Sequence, residues 1–195
     1  MKRTRIEIDD ARKLSWQLMG FEKVSYEQFE KDYINIMSNM TDVDLPDGWQ
    51  DECKYIYDRI KLPQRATQGS AGYDFYLPYP VDLPDTEKSI VIPTGIRCRM
   101  PYGFVLMLFP RSGLGFRCRF ALDNTVGIVD SDYYNAANEG HIMAKVHVGV
   151  ESAITRLPEG KAFMQGVLLP FAITSDDSAT AERTGGFGST DDGRA

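Results

Sequence analysis

Five short runs constrain what this chain can fold into: SIVIP (89–93), IRCRM (96–100), FVLMLF (104–109), HIMAKVHVGV (141–150) and GVLLPFAI (166–173). Each is rich in β-branched and aliphatic residues and is bounded by Gly, Pro or Asp, the punctuation of strands. Many short strands imply a sandwich or a barrel. At 195 residues the chain suits one domain with a sizeable core. Its longest apolar runs fall far short of the ~20 residues that a membrane span needs.

Residues 11–40 break the strand pattern. Apolar and aromatic residues recur there at mixed three and four spacings, Phe29, Tyr33, Ile36 and Met37 among them, which predicts one or two amphipathic helices. Ser25, with Gln28 three positions on, makes a capping box for a helix running to about Met40. TDVDLPDG, from Thr41 to Gly48, reads as a loop. The layout this favours is a first strand near Arg3 to Ile8, another around Tyr55 to Leu62, and helices between them decorating the outside. Such an insert is either a packing element or a partner-binding surface.

Four further segments carry chemistry, together with the C-terminal run. SAGYDF spans Ser70 to Phe75, FPRSGLGFR Phe109 to Arg117, DNTVGIVDSDYYN Asp123 to Asn135, and GKAFMQ Gly160 to Gln165. In PRSGLG, Pro110 blocks helix continuation, Arg111 supplies permanent charge, and Ser112 with Gly113 can present a hydroxyl and bare amides to an anion. A lone RSG is also an ordinary surface turn. Asp130 and Asp132 follow the apolar Val126, Ile128 and Val129 and share a face if the strand continues. One of them can hold a water and act as a general base, although DSD is equally good turn chemistry. RTGGFGST, from Arg183 to Thr190, joins an arginine, three glycines, Phe187 and three hydroxyls in eight residues, which suits closing over a nucleotide as well as it suits a flexible tail.

These five segments, in this order, resemble the homotrimeric all-β dUTPase family over roughly residues 60–190. The resemblance implies a mainly β, jelly-roll-like barrel with a small helical insert near the N-terminus at about residues 9–54. A single domain over 1–180 would be followed by a flexible arm at 181–195, and the chains would form a homotrimer with composite active sites. The implied reaction is hydrolysis of dUTP to dUMP and pyrophosphate. Asp130 matches the base that activates water for attack on the α-phosphorus. Arg111, Ser112, Gly113 and Gln165 match polyphosphate contacts. Asn124 matches the uracil-reading hairpin, and Tyr133 the ring that stacks under deoxyribose and rejects a 2′-hydroxyl. Arg183 would engage the γ-phosphate and Phe187 would cover uracil, with Gly186, Gly188, Ser189 and Thr190 as donors. Asp74 would order the water shell of Mg2+ held mainly by the triphosphate.

The chain departs from the family in YYNAANEGHI, from Tyr133 to Ile142, where added Asn, Ala and Glu lengthen the loop after the catalytic segment. Two rival readings remain. A dCTP deaminase would need a glutamate where Lys145 stands, and a regulatory binding protein would keep the pocket as a ligand switch and use the insert to contact a protein. A net charge of -6 argues against a nucleic-acid grip, while Arg97, Arg99, Arg111, Arg117 and Arg119 around the cradle allow a local positive pocket. Three widely spaced cysteines and a start lacking an apolar leader point to reduced thiols in the cytoplasm. With His141 and His147 the only histidines and no paired Cys/His spacing, no protein-ligated zinc and no catalytic histidine are expected.

Overall fold

All five β-rich runs contain a strand, and burial alternates along some of them as the side chains do. In Ile96–Arg99, for example, Ile96 and Cys98 point inward while Arg97 and Arg99 point away. The computed structural model describes residues 19–40, 47–83, 88–149, 154–181, 183 and 185. The chain enters through β1 (Gly20–Lys23) and helices α1 (Tyr26–Met40) and α2 (Trp49–Arg59). Next come β2 (Gln64–Arg65), β3 (Tyr73–Tyr76), β4 (Val81–Asp82), β5 (Ile90–Pro93), β6 (Ile96–Arg99), β7 (Phe104–Pro110) and the short helix α3 (Ser112–Cys118). The remainder is β8 (Ala121–Leu122), β9 (Gly127–Asp130), a 3-10 turn over Ser131–Asn135, β10 (Met143–His147), β11 (Arg156–Leu157) and β12 (Ala162–Pro170).

Every strand pairing is antiparallel. One sheet runs β2-β3-β12-β7-β9 and another β5-β10-β8, while β1 pairs with β6 and β4 with β11. The fold is the mainly β, jelly-roll-like one. Its core joins Phe75, Leu106, Leu108, Phe120, Val129, Ile92, Val146, Phe163 and Met164 in one cluster.

The N-terminal helices belong to that same cluster and do not decorate the outside. Phe29 of α1 and Cys53 of α2 are fully buried, and Phe29 contacts Tyr33, Tyr57 and His141. Burying a phenylalanine contributes on the order of 1.5–3 kcal/mol, so the helix is held by its packing. The helices seat on the turn between β5 and β6, where Gly95 has φ +70° and an added Cβ would lie 2.3 Å from Ile60 Cδ1 and 3.2 Å from Phe29 Cδ2. Glycine there satisfies both the left-handed backbone and the close approach.

Two local expectations change. Within the stretch 11–40 read as helical, residues 20–23 form strand β1. Around Tyr55 to Leu62 the chain is not a strand but the end of α2, followed by extended residues leading to β2. Buried Cys53, Ile56 and Ile60 recur at three and four, a helical period that a cluster of aromatic residues disguised. The helix begins after Gly48 and carries Asp51 and Glu52 in its first turn and Arg59 in its last, which matches its dipole. The strand expected near Arg3 to Ile8 lies outside the described residues. Helix α1 starts where the capping box placed it, with the Gln28 N–H donating to Ser25 Oγ at 3.1 Å.

Candidate active site

Strand β12 organises the first half of the site. Gln165 stands opposite Asp74 of β3 on one side and Phe109 of β7 on the other. The Arg111 Nη1 donates to Asp74 Oδ1, and the Arg111 backbone N–H is fixed by the Phe163 carbonyl at 3.0 Å. Asp74, Arg111 and Gln165 therefore converge from three adjacent strands. Gly72 leaves space for the Gln165 amide where it stands, since a Cβ there would lie 2.5 Å from Gln165 Oε1. Beyond Arg111 the chain turns into α3. Leu114 and Gly115 N–H both donate to the Arg111 carbonyl, while Ser112 and Gly113 open the helix with first-turn amides that have no acceptor within it. A Cβ on Gly113 would meet nothing of this chain, so internal packing does not demand glycine there.

The second half lies on β9 and the loop after it. Strand β9 ends at Asp130 and the 3-10 turn begins, so Asp130 and Asp132 do not share a strand face as they would had the strand continued. They meet through Arg183, whose Nη2 donates to Asp130 Oδ2 at 2.8 Å and whose Nε donates to Asp132 Oδ1 at 3.0 Å. The guanidinium also sits 5.6 Å from the centre of the Tyr133 ring. Tyr133 is buried, donates its hydroxyl to the His141 carbonyl at 2.8 Å and accepts from Asn138 Nδ2 at 2.8 Å. Burial, first of all, pushes that phenol up to about 12. Asn124 lies in the turn between β8 and β9, tightened by a Val126 N–H to Asn124 carbonyl bond of 2.6 Å. That turn borders a cavity of about 360 Å³ lined also by Leu122, Gly127, Met143 and Met164. Gly186, Phe187, Gly188, Ser189 and Thr190 lie outside the described residues.

The two halves do not meet within one chain. Asp130 pairs with Val105 near the start of β7, whereas Arg111 follows its end. Six residue steps along the chain separate Val105 from Arg111, about 20 Å at ~3.4 Å per residue. The five arginines do not converge either: Arg97 and Arg99 are committed to Glu22 on β1, each at 3.2 Å. Among the described residues no group of three or more His, Cys, Asp or Glu side chains could hold a metal ion. Asp74 as a single carboxylate suits a magnesium ion that brings most of its ligands with it. No described helix is long and apolar enough to cross a membrane.

Residues that sequence reasoning passed over tie this second half to the helices. The Glu139 carboxylate accepts from the Ser25 N–H at 2.7 Å and from Ser25 Oγ at 2.6 Å, taking the place that Gln28 would fill in a reciprocal capping box. Gln28 donates to Asp32 instead, at 2.8 Å. His141 is fully buried, with Nδ1 2.6 Å from Asp32 Oδ2 and Nε2 accepting from the Gly95 N–H at 2.8 Å. The second bond requires an unprotonated Nε2 and so places the ring proton on Nδ1, facing Asp32. Tyr134 donates to Glu22 at 2.9 Å and lies under the Arg97 guanidinium. The one available signal was composition: a loop lengthened by Asn138 and Glu139, next to a histidine without catalytic duty.

Three of these carboxylates titrate low. Burial pushes Asp32 and Glu139 upward, but hydrogen bonds from His141 and Gln28 to the first, and from Ser25 to the second, outweigh it. The Tyr134 hydroxyl does most to hold Glu22 down. A carboxyl depressed in the folded state stabilises above its unfolded value and loses that contribution as pH falls through the folded value. Thermal unfolding followed from pH 6 downward should therefore show a midpoint that declines below about 4.5, the ordinary carboxylate range. The double variant Asp32→Asn/Glu139→Gln should decline less steeply over the same window, and a parallel decline would separate these groups from acid stability.

Fold and site define a mainly β, jelly-roll-like protein whose polar site is divided between two ends of one strand. The dUTPase family model matches residues 58–190. The deoxyuridine 5'-triphosphate nucleotidohydrolase of Lactococcus lactis is 36% identical over 146 residues, covering 73% of this chain and 96% of the relative. That of Dinoroseobacter shibae is 35% identical over 165 residues, 79% of this chain and 98% of its own length. The structure of the dUTPase from Streptococcus mutans aligns with a TM-score of 0.53 at 35% identity, over 58% of this chain and 88% of that one. This chain belongs to the dUTPase family. The family match begins at Asp58, so β1, α1 and nearly all of α2 precede it.

Proposed function

We propose that this protein hydrolyses dUTP to dUMP and pyrophosphate at sites shared between subunits of a homotrimer, with Asp130 as the base. The observation that carries the sharing is the register along β7. The α- and γ-phosphorus atoms of one triphosphate are two bridging oxygens apart, far less than the ~20 Å of strand between Asp130 and Arg111. One chain therefore supplies Asp130, Tyr133 and the Asn124 turn, and another supplies Asp74, Arg111, Ser112, Gly113 and Gln165.

In this reading the cavity beside Asn124 receives uracil and Tyr133 lies against the deoxyribose, leaving no room for a 2′-hydroxyl. Arg111, the Ser112 and Gly113 amides and Gln165 hold the polyphosphate and stabilise charge on the leaving group. Asp130 orients and deprotonates the attacking water. Arg183, which pairs with Asp130 and Asp132 in the single chain, moves to the terminal phosphate, freeing the Asp130 oxygens for water. Asp74 would hold the water shell of Mg2+, which would supply charge neutralisation on the phosphates when bound. The arm beyond Arg183, with Phe187 over the base, completes the closure that excludes water. Three buried free thiols, Cys53, Cys98 and Cys118, support a reducing compartment.

The deaminase alternative gains nothing from Lys145, an exposed residue of β10 that pairs with Asp123 at 3.6 Å. Product analysis with dUTP, dCTP, dTTP and UTP, each with and without magnesium, tests the proposal. Pyrophosphate from dUTP alone is expected, and ammonia from dCTP would overturn it.

A further inference from the structure

The loop that carries Tyr133 is held by residues outside the family's matched segment. Its backbone closes on itself, with the Ala136 N–H on the Tyr133 carbonyl at 3.0 Å and the Tyr133 hydroxyl on the His141 carbonyl at 2.8 Å. The end of the lengthened part is then pinned twice to α1: Glu139 to Ser25 at its N-cap and His141 to Asp32 two turns further on. Glu139 adopts φ +56°, a left-handed conformation that costs a non-glycine residue about 1–2 kcal/mol. Such a conformation persists where surrounding contacts over-determine it, and the two Ser25 bonds do so here. Gly140, at φ +70°, cannot carry a side chain, because a Cβ would lie 2.6 Å from the Tyr133 carbonyl oxygen. The register from Glu139 back to Tyr133 therefore has little freedom.

We infer that Glu139 and the Asp32–His141 pair are positioning residues, through which the N-terminal helix sets the Tyr133 ring and with it the discrimination between deoxyribose and ribose. The inference rests on Tyr133 as the sugar-contacting ring. Glu139→Gly removes the carboxylate while keeping a residue that accepts positive φ, so backbone strain does not confuse the result. Glu139→Gln keeps an acceptor for the Ser25 N–H and serves as the conservative rescue. Asp32→Ala, with Asp32→Asn as its rescue, probes the second tie should Glu139→Gly fail to fold.

The readout is calorimetric binding of the non-hydrolysable α,β-imido analogues of dUTP and UTP to the full-length protein, with thermal midpoints measured in parallel. The wild type should strongly prefer the deoxy analogue. Glu139→Gly and Asp32→Ala should each lower that preference on the order of tenfold or more, as misplacement of a positioning group does. Their rescues should recover most of it. Lower thermal midpoints with an unchanged preference would reduce these residues to structural ties and overturn the inference. Equal binding of the two analogues by the wild type would remove Tyr133's role and the inference with it. Full turnover of dUTP by Asp130→Asn would instead remove only the assignment of the base.

Discussion

Asp130→Asn is expected to lower kcat for dUTP by roughly 10² to 10⁴, the usual worth of a positioned base, with nucleotide binding largely retained. The substitution is nearly isosteric and the side chain is half exposed, so it leaves no cavity and buries no unpaired group. Its partner Arg183 keeps an acceptor in the amide oxygen and a second carboxylate in Asp132. Steady-state rates and an equilibrium binding curve separate the two parameters. Near-normal turnover would move the base elsewhere, with Asp132 the neighbouring carboxylate to examine.

Mixing two inactive variants should restore activity. Arg111→Ala retains Asp130 but loses its polyphosphate contact, and Asp130→Asn does the reverse. If each site takes Asp130 from one subunit and Arg111 from another, unfolding and co-refolding equal amounts should return about a quarter of wild-type activity, since each intact contribution is present half the time. If one chain held a whole site, every site in the mixture would carry one lesion and the activity would stay near zero. The separation of the two contributions is a property of the backbone. It follows from the pairing of Asp130 with Val105 and the position of Arg111 after Pro110, both fixed by the β7 ladder.

Five of the twelve described strands were legible as β-rich runs because composition and alternation are local properties, and SIVIP, IRCRM and FVLMLF fold where they are written. So was the start of α1, since an N-cap is a contact between residues three apart. The end of α2 was not. YIYDRI satisfies a strand by composition, and only burial of Cys53, Ile56 and Ile60 on one face shows the helical period. The chemical groups were readable as residue types in a familiar order, but their partners were not. Nothing local to SAGYDF indicates that Gly72 is there to admit Gln165, 93 positions later. Nor does Ser25 indicate that a glutamate 114 residues away will take the second half of its cap. Such pairings depend on the tertiary arrangement, which brings together segments that local preference treats separately.

The contacts between α1 and the lengthened loop also bear on how this branch of the fold can diverge. Removing the helix would leave a buried imidazole N–H without an acceptor and a left-handed glutamate with nothing to hold it. Shortening the loop would leave the Ser25 N–H at the head of α1 without its carboxylate. Either half alone leaves a polar group without its partner, so helix and loop are expected to pass as one heritable module, and a recombination boundary falling between them should yield a less stable protein than either parent.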